Sequence, residues 1–314
     1  MKFSQDILIS LIHHHRPDLG APIEVEPIAT GKFNRSFWVR AAGEEMVLRV
    51  APPRDAVFVF YERDMMRQEP GLHERLRAET SAPVPEILVF DASHRLLERD
   101  FMLMARLPGR PLSEMRHVDN DTVLRQVGQY LAEVHRLQAT QHGYLGAHQP
   151  MVPQSRWVEA FAIMWNKLID DVVGVGHYDA QESRFLRHLL EQHLPLFDRP
   201  VAASLLHMDI WAQNILVDDT GRVTGLIDWD RALWGDPEIE FAVLDYCGIS
   251  EPAFWEGYGQ ERDWSPEARI RQVFYLLYEL QKYIVIREGR LHDSAGARRY
   301  KNEVMGIVQE AFLG

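Results

Sequence analysis

The most informative segment of this sequence is LLHMDIWAQNILVDDTGRVTGLIDWD, residues 205–230. It contains two short apolar segments separated by Asp218-Asp-Thr-Gly221, a turn signal that predicts a β-hairpin. Polar side chains stand on both sides of this hairpin: Asp209 and Asn214 precede its first strand, and Asp228 follows its second strand. Because a hairpin brings its outer ends together, we expect these three side chains to converge.

These three residue types carry the groups that phosphoryl transfer requires. Such a reaction needs a carboxylate that accepts the proton of the attacking hydroxyl, and oxygen ligands for Mg²⁺. The spacing from His207 through Asp209 to Asn214 is H-x-D-x-x-x-x-N, which matches the catalytic loop of protein kinases. Asp and Asn also favour turns for purely structural reasons, so the plainer interpretation is that all three are turn residues.

The first hundred residues predict a small antiparallel sheet with one helix. Pro70 lies near the interior of the helical segment, so we expect that helix to start late or to kink. The predicted strands are Ile23–Ile28, Ser36–Ala41, Met46–Val50, Val84–Phe90 and Phe101–Ala105, and the predicted helix is Arg63–Ala78.

After the proline- and glycine-rich stretch Leu107–Leu112 the pattern becomes helical. The apolar residues between Asp121 and Gln138 form one stripe at helical spacing, preceded by the capping residues Asp119 and Asn120. Further helices are predicted at Arg156–Val173, Glu182–Leu194 and Pro266–Arg287. The sequence therefore predicts an α+β chain with an N-terminal lobe of residues 1–106, a hinge at about 104–111, and a helical C-terminal lobe of residues 107–314.

The composition excludes several classes of function. The 314 residues carry 46 acidic and 34 basic side chains, a formal charge of −12 that disfavours binding to nucleic acid. No stretch approaches the ~20 consecutive apolar residues of a membrane helix, and we recognise no secretion signal at the N-terminus. The single cysteine, Cys247, suits a reducing compartment, so we expect a cytoplasmic protein without a membrane partner. The oligomeric state is left open.

Four segments, taken in order over roughly residues 25–250, resemble the aminoglycoside phosphotransferase and choline kinase family. They are FMLMARLPGRPL, LAEVHRL, LLHMDIWAQNILVD and GLIDWDRALWGDPEIEFA. The resemblance implies a protein-kinase-like two-lobe fold, with a small antiparallel-sheet lobe and a larger, mainly helical lobe. It also implies transfer of the γ-phosphoryl group of ATP, or alternatively GTP, with Mg²⁺, to a hydroxyl of an aminoglycoside-like antibiotic, an amino alcohol or a sugar.

The same resemblance suggests a role for individual residues. Asp209 would be the catalytic base, Asn214 and Asp228 would bind magnesium, and His207 and Asp236 would brace the loop structurally. In the nucleotide site, Gly31, Asn34 and Ser36 would cover the phosphates, and Arg49 would form an ion pair with Glu69. The backbone groups of Ala105 and Leu107 would bind the adenine edge at the hinge.

The sequence departs from the family pattern at four positions. Arg49 stands where the third strand usually has lysine, and an arginine can still pair with a carboxylate and with phosphate oxygens. Met208 replaces a glycine, Glu240 replaces an aspartate, and the cover loop has one glycine, Gly31, instead of three. We expect these changes to leave the fold intact and to affect turnover and nucleotide preference.

Three alternative functions remain to be considered. A protein kinase is disfavoured because Trp229-Asp230, and not Phe-Gly, follows Asp228, and because no Ala-Pro-Glu segment follows. A nucleotide-binding regulator without catalysis is kept open by Arg49 and Met208. A metal-dependent hydrolase using the same carboxylates is the third.

Other conspicuous residues have a plainer explanation. The adjacent His13–His15 point in different directions on a helix and cannot converge on one ion. Cys247 lies in an apolar run, as expected of a small buried residue. Trp157, Phe161 and Trp165 recur at the spacing of a core face, and the alternative is that they line a substrate pocket. Two acidic groups flank the predicted loop and would form a rim that attracts a cationic acceptor, or else a solvated face. These groups are Asp170, Asp171, Asp179 and Glu182, and Glu251, Glu256, Glu261 and Asp263.

Overall fold

A computed structural model describes residues 3–29 and 33–313 of the chain. Its N-terminal part is a five-stranded, fully antiparallel sheet in the order β1-β2-β3-β5-β4. The strands are β1 Glu24–Ile28, β2 Arg35–Ala41, β3 Glu44–Val50, β4 Ile87–Asp91 and β5 Phe101–Ala105. The expectation of three consecutive antiparallel strands followed by two more is confirmed.

One face of this sheet is covered by helix α1, Gln5–His15, which we did not delimit from the sequence. Its buried residues Leu8, Leu11 and Ile12 pack into one apolar cluster with Val39 and Leu48 of the sheet. The helix begins at Ser4, whose hydroxyl accepts a hydrogen bond from the backbone of Ile7, and it ends in the three histidines. His13 and His14 are exposed, in agreement with a solvated helix end.

Helix α2, Glu69–Glu79, starts six residues later than its predicted first residue, Arg63. Pro70 lies in the first turn, where its missing N–H has no helical partner to lose, and a 3₁₀ turn, Met65–Gln68, precedes it. The predicted late start is therefore confirmed. It places Glu69 at the beginning of the helix, with its side chain fully buried.

The remainder of the chain is mainly helical and contains two three-stranded sheets. The predicted helices around residues 121–138, 156–173, 182–194 and 266–287 are present, and three further helices had not been predicted. The observed helices are α3 Asn120–Val134, α4 Trp157–Gly174, α5 Ala180–His193, α6 Pro237–Tyr246, α7 Pro252–Tyr258, α8 Pro266–Val285 and α9 Ser294–Phe312.

The two small sheets position the candidate site. One has the order β10-β9-β6 and the other has the order β11-β8-β7. Their strands are β6 Arg110–Pro111, β7 Gln138–Ala139, β8 Ala203–Leu206, β9 Ile215–Val217, β10 Val223–Leu226 and β11 Leu233–Gly235. Strands β9 and β10 form the predicted hairpin. Two connections therefore run between the same pair of sheets: a loop of residues 207–214 and a segment of residues 227–232.

Apolar packing beneath these connections is dense. Trp157, Phe161 and Trp165 of α4 are at most 1% exposed and belong to the largest apolar cluster, so they are core residues and not pocket residues. Met208 of the 207–214 loop lies in the same cluster. Across residues 3–29 and 33–313, no helix has the length and apolar character of a membrane span.

Candidate functional site

Asp209 lies at the centre of the site, and each of its carboxylate oxygens has a different partner. Arg231 Nη1 donates to Asp209 Oδ1 at 2.7 Å, and Asn214 Nδ2 donates to Asp209 Oδ2 at 3.0 Å. The Asp209 side chain nevertheless keeps 25% of its surface exposed. A carboxylate has about four lone-pair positions, so a further donor can still reach it.

Charge around Asp209 keeps it ionised. Burial alone would raise the pKa of Asp209, but the positive charges of Arg231 and then Lys282 hold that pKa below its usual value. An ionised carboxylate is the form that accepts a proton from a hydroxyl. Asp209 therefore has the charge state that a general base requires at neutral pH.

His207 holds the 207–214 loop against the 227–232 segment. Its Nδ1 accepts from the backbone N–H of Asp209 at 3.2 Å, and its Nε2 lies 3.0 Å from the carbonyl oxygen of Ile227. Burial lowers the pKa of His207, which favours the neutral ring with its proton on Nε2. The backbone N–H of Ile227 also donates to the carbonyl of Asn214 at 3.0 Å. These bonds bring Asp209, Asn214 and the residue before Asp228 into one hydrogen-bonded frame.

The loop is braced by Glu240, and not by Asp236 as the resemblance implied. Glu240 is fully buried on α6 and accepts from the backbone N–H groups of His207 and Met208, as well as facing the ring of His135. Asp236 instead caps α6 and contacts Arg199 and Tyr275. Glu240, which stands where the family has an aspartate, is thus the carboxylate that contacts the 207–214 loop.

The turn of residues 228–231 carries three charged side chains that contact either Arg49 or Asp209. Asp228 has a left-handed backbone (φ 72°), and a 3₁₀ turn, Trp229–Arg231, follows it. Asp228 faces Arg49, Asp230 faces both Arg49 and Asn34, and Arg231 faces Asp209. Sequence reasoning missed the last two side chains, although their place directly after Asp228 could have drawn attention to them.

Arg49 of β3 joins the sheet to this turn. Its Nη1 donates to Glu69 Oε2 at 2.7 Å, and its Nη2 lies 2.5 Å from Asp228 Oδ1 and 3.0 Å from Asp230 Oδ2. The expected pairing with Glu69 is therefore present. One guanidinium contacts three carboxylates through two nitrogens of its planar fork, a geometry that the compact ammonium of lysine lacks.

Two of the three residues expected to cover the phosphates can be placed. The Asn34 side chain is buried, and its Nδ2 donates to Asp230 Oδ2 at 3.0 Å. Ser36 lies in β2 and pairs with Arg49 in the strand register. Gly31 lies outside the described residues.

The expected hinge positions follow β5. The backbone N–H of Ala105 donates to the carbonyl of Glu86, and that of Arg106 donates to the carbonyl of Glu45. No backbone hydrogen bond of the described residues involves the N–H of Leu107. Ala105 and Leu107 are both half-buried.

Asn214 and Asp228 have the donor atoms that a hard divalent cation prefers. Asn214 uses its amide nitrogen toward Asp209, which leaves its side-chain oxygen free to act as a ligand, and Asp228 uses one oxygen toward Arg49. Burial raises the pKa of Asp228, and Arg49 offsets that effect only partly. In the described part of the chain, no group of three or more His, Cys, Asp or Glu side chains is arranged around a metal position. One carboxylate and one amide suit Mg²⁺, which keeps waters and phosphates as its other ligands.

The carboxylates of the acidic rim expected from the sequence mostly have partners within the chain. Six of these eight carboxylates have partners within the chain, which are Arg187 for Asp170, Phe60 N–H for Asp171, the capping box of α5 for Asp179 and Glu182, Arg125 for Glu256, and Ser265 N–H for Asp263. Burial raises the pKa of Cys247 to about 12, so its thiol is not a nucleophile at neutral pH.

Helix α8 adds two charged residues that were not predicted as part of the site. Glu279 accepts from Arg231 Nη2 at 3.3 Å and pairs with Lys282, and all three side chains are less than 10% exposed. The signal in the sequence is that YELQKY places charges within an otherwise apolar face of a long helix. Such charges are rarely buried unless they are paired.

The chain is similar in sequence to known phosphotransferases over most of its length. Residues 24–271 match the model of a family described as the phosphotransferase enzyme family. The chain is 24% identical to hygromycin-B 4-O-kinase of Escherichia coli over 86% of its own length and 77% of that protein. It is 26% identical to a probable ketoamine kinase of Lactiplantibacillus plantarum over 83% of its length and 88% of that protein.

A solved structure shares the fold over nearly the whole chain. It is a thermostable mutant of aminoglycoside phosphotransferase APH(4)-Ia in a ternary complex with AMP-PNP and hygromycin B, with a TM-score of 0.70 and 20% identity. The match covers 96% of this chain and 99% of that one. The protein-kinase-like α+β fold expected from the sequence is thus confirmed. With a family match over residues 24–271, the chain belongs to the phosphotransferase enzyme family and is one of its small-molecule kinases.

Proposed function

We propose that this protein transfers the γ-phosphoryl group of ATP to a hydroxyl group of a small, amine-bearing, sugar-like molecule. The observation that carries this proposal is the state of Asp209. Its carboxylate is fixed through one oxygen by Arg231 and through the other by Asn214, and a quarter of its surface remains exposed. A fixed, ionised and accessible carboxylate is what orientation of an attacking hydroxyl needs.

In this proposal Asp209 accepts a hydrogen bond from the acceptor hydroxyl and takes its proton as the reaction proceeds. The hydroxyl oxygen forms a bond to the γ-phosphorus while the bond from that phosphorus to the β-phosphate oxygen breaks. ADP leaves with the electron pair of the broken bond. General-base assistance of this kind contributes on the order of 10²–10⁴ in rate.

Asn214 and Asp228 are the residues proposed to hold Mg²⁺, through the free amide oxygen of one and a carboxylate oxygen of the other. The ion would supply positive charge that bridges and neutralises the phosphate oxygens. Arg49 would contribute a second positive charge at the α- and β-phosphates. Glu69, buried against Arg49, would keep that guanidinium in place.

The nucleotide is proposed to lie between residues 1–106, the nucleotide-covering lobe, and residues 107–314, the lobe with the 207–214 loop. Gly31, Asn34 and Ser36 would lie over its phosphates. At the hinge, the N–H of Ala105 is already bonded to Glu86, so the Ala105 carbonyl and the Leu107 N–H are the groups we assign to the adenine edge. The relative solved with AMP-PNP favours ATP, and GTP is the alternative because backbone groups make these contacts.

The acceptor class is inferred from charge and from the relatives. Two relatives are, by name, a hygromycin-B 4-O-kinase and a probable ketoamine kinase, and on that basis we propose an amine-bearing acceptor. The net charge of −12 would draw such cations toward this protein from a distance. The charges nearest Asp209 are balanced, because Arg231 and Lys282 accompany Asp209 and Glu279. We therefore assign cation attraction to the overall field and not to the rim named in the sequence.

The decisive experiment measures ADP release from Mg·ATP with hygromycin B, a ketoamine of glucose and lysine, choline and glucose as separate acceptors. At least one acceptor should stimulate ADP release, with phosphate recovered on the acceptor. Asp209→Ala should abolish this stimulation and leave ATP binding nearly unchanged. The matched control is Asp219→Ala, an aspartate of the adjacent hairpin turn whose side chain is 88% exposed, and it should retain wild-type activity.

Two results would contradict the proposal. One is thermal stabilisation by ATP with no turnover of any acceptor in the panel, as a nucleotide-binding regulator would show. The other is release of inorganic phosphate at the same rate with and without acceptor, which would indicate a hydrolase.

A further inference from the structure

Arg231 is the only described side chain that donates to Asp209 Oδ1, and its geometry fixes the direction of the carboxylate. The Nη1–Oδ1 distance is 2.7 Å, while Asn214 Nδ2 occupies the other oxygen at 3.0 Å. The terminal torsion angle of an aspartate side chain is normally free over a broad range. Donors on both oxygens prevent this rotation in Asp209. Asp209 thus presents one defined set of free lone pairs to an acceptor hydroxyl.

Arg231 is itself held from the opposite side. Its Nη2 lies 3.3 Å from Glu279 Oε2 on α8, and its guanidinium lies 5.7 Å from the centre of the Tyr61 ring. Glu279 is in turn paired with Lys282, one turn further along α8. The side chains of Arg231, Glu279 and Lys282 are 9%, 2% and 5% exposed. An arginine with so little exposed surface and two carboxylate partners has little freedom to leave Asp209.

The chain also ties Arg231 to the phosphate end of the site. Arg231 closes the 3₁₀ turn that begins after Asp228, so the turn that carries a proposed metal ligand also carries the partner of Asp209. Asp230, between them, contacts Arg49 on the sheet. The direction of Asp209 is therefore set by a side chain whose backbone is fixed relative to the phosphate-binding groups.

From these contacts we propose that Arg231 is a positioning residue for phosphoryl transfer, which aims the Asp209 carboxylate at the acceptor hydroxyl, and that Glu279 of α8 anchors it. This inference rests on the proposed function and adds a residue to it. Arg231 makes no contact with the nucleotide in this scheme. Its removal should therefore affect the step in which the acceptor attacks and not the binding of ATP.

The test compares Arg231→Ala and Arg231→Lys with wild type, using the acceptor that the ADP-release panel identifies and AMP-PNP as the nucleotide probe. We expect Arg231→Ala to lower kcat by about 10–100-fold, since small misplacement of a reacting group costs rate on this scale. The Kd for Mg·AMP-PNP and the KM for ATP should stay within about twofold of wild type, because these report binding that Arg231 does not touch. Arg231→Lys should recover part of kcat, because an ammonium keeps the positive charge but lacks the planar fork with which Arg231 contacts Asp209 and Glu279.

Two further variants complete the design. Arg222→Ala removes an exposed arginine from the hairpin that precedes the turn, and it should leave kcat unchanged. Glu279→Gln leaves Arg231 in place but weakens its anchor, so it should lower kcat less than Arg231→Ala does. If Arg231→Ala fails to fold, Arg231→Lys and Glu279→Gln decide the question by the same split between kcat and nucleotide binding.

The outcomes separate this inference from the proposed function. If wild type turns over an acceptor and Arg231→Ala keeps kcat within about twofold, Arg231 does not position Asp209 and only this inference fails. Equal losses of kcat and of AMP-PNP affinity would also overturn it, because they would indicate a general structural role. If wild type turns over no acceptor, the proposed function fails, and the positioning role fails with it.

Discussion

Glu240 Oε1 lies 2.7 Å from the backbone nitrogen of Met208, so the two positions at which the loop region departs from its family pattern are in direct contact. Met208 has a left-handed backbone (φ 66°), which a glycine adopts freely and a methionine does not. The carboxylate of Glu240 bonds the N–H of Met208 and that of His207. Glu240 thus holds Met208 in a backbone conformation that a glycine at position 208, as in the family pattern, would adopt freely.

The contact between Glu240 and Met208 predicts which of two substitutions at position 208, alanine or glycine, lowers the free energy of unfolding more. Met208→Ala loses the buried side chain and keeps the strained φ, whereas Met208→Gly loses the same side chain and releases the strain. Left-handed backbone costs a residue with a side chain about 1–2 kcal/mol, which exceeds the entropic penalty of glycine. We expect the glycine variant to be more stable than the alanine variant, as measured by urea unfolding, and both to be less stable than wild type. Greater stability of the alanine variant would show that the loop is unstrained.

Glu240 should be essential for the loop because it is a buried carboxylate with several donors. Glu240→Ala leaves the N–H groups of His207 and Met208 without their acceptor, and unsatisfied buried donors cost about 1–3 kcal/mol each. We expect the free energy of unfolding to fall by at least about 3 kcal/mol. The exposed pair Arg125–Glu256 provides the control, since Glu256→Ala should change stability by less than about 1 kcal/mol. Similar effects of the two substitutions would contradict the bracing role.

Arg49 should not be replaceable by lysine without a measurable cost. It contacts Glu69, Asp228 and Asp230 at once, and an ammonium cannot reproduce the planar fork that makes these contacts possible. We expect Arg49→Lys to lower thermal stability and to raise the KM for ATP, while Arg49→Ala loses activity by about 100-fold or more. Arg40→Lys on the neighbouring strand is the control, because Arg40 is 43% exposed. An Arg49→Lys variant with wild-type KM and Tm would show that the shared contacts are dispensable.

Asp171 predicts a dependence of stability on pH. Burial raises the pKa of Asp171 from 3.8 to about 7, so the folded protein holds this proton more tightly than the unfolded chain does. Stability should therefore fall as pH rises between those two values and stay lower above them. Asp171→Asn removes the titration and keeps an oxygen for the N–H of Phe60. We expect the variant to exceed wild type in Tm at about pH 8 and to match it near about pH 4.

The neighbouring residue supplies the control for this prediction. Asp170 is 70% exposed and pairs with Arg187, so Asp170→Asn should show no such crossing with pH. A Tm difference between Asp171→Asn and wild type that is the same at both pH values would mean that Asp171 is ionised throughout.

The sequence predicted the elements whose signal is local. The hairpin β9–β10 and the late start of α2 follow from turn residues, alternation and Pro70, which act within a few positions. Asp209 and Asn214 are also close in sequence, and they meet within the loop that precedes this hairpin. These features need no knowledge of distant contacts. The pairing of Arg49 with Glu69 was expected from the family resemblance.

The features that the sequence did not predict depend on contacts between distant segments. Glu279 is 48 residues from Arg231, and Asp230 is 196 residues from Asn34, so nothing in either neighbourhood identifies the partner. The partners of the rim carboxylates were not predicted for the same reason, because Arg187, Arg125 and the N–H of Phe60 reach them only in the folded chain. The brace was assigned to Asp236 from the family resemblance, and only the contacts show that Asp236 binds Arg199 while Glu240 binds the loop.

The turn of residues 228–231 has a consequence for how this protein could acquire a new acceptor. Its side chains meet the sheet through Arg49, the loop through Asp209 and the long helix α8 through Glu279. A substitution at Arg49, Asp209 or Glu279 therefore changes the contacts of a turn that the other two residues share. Directed evolution toward another acceptor should leave this junction untouched and draw its changes from the surrounding helices, where a side chain can vary without disturbing the chemistry.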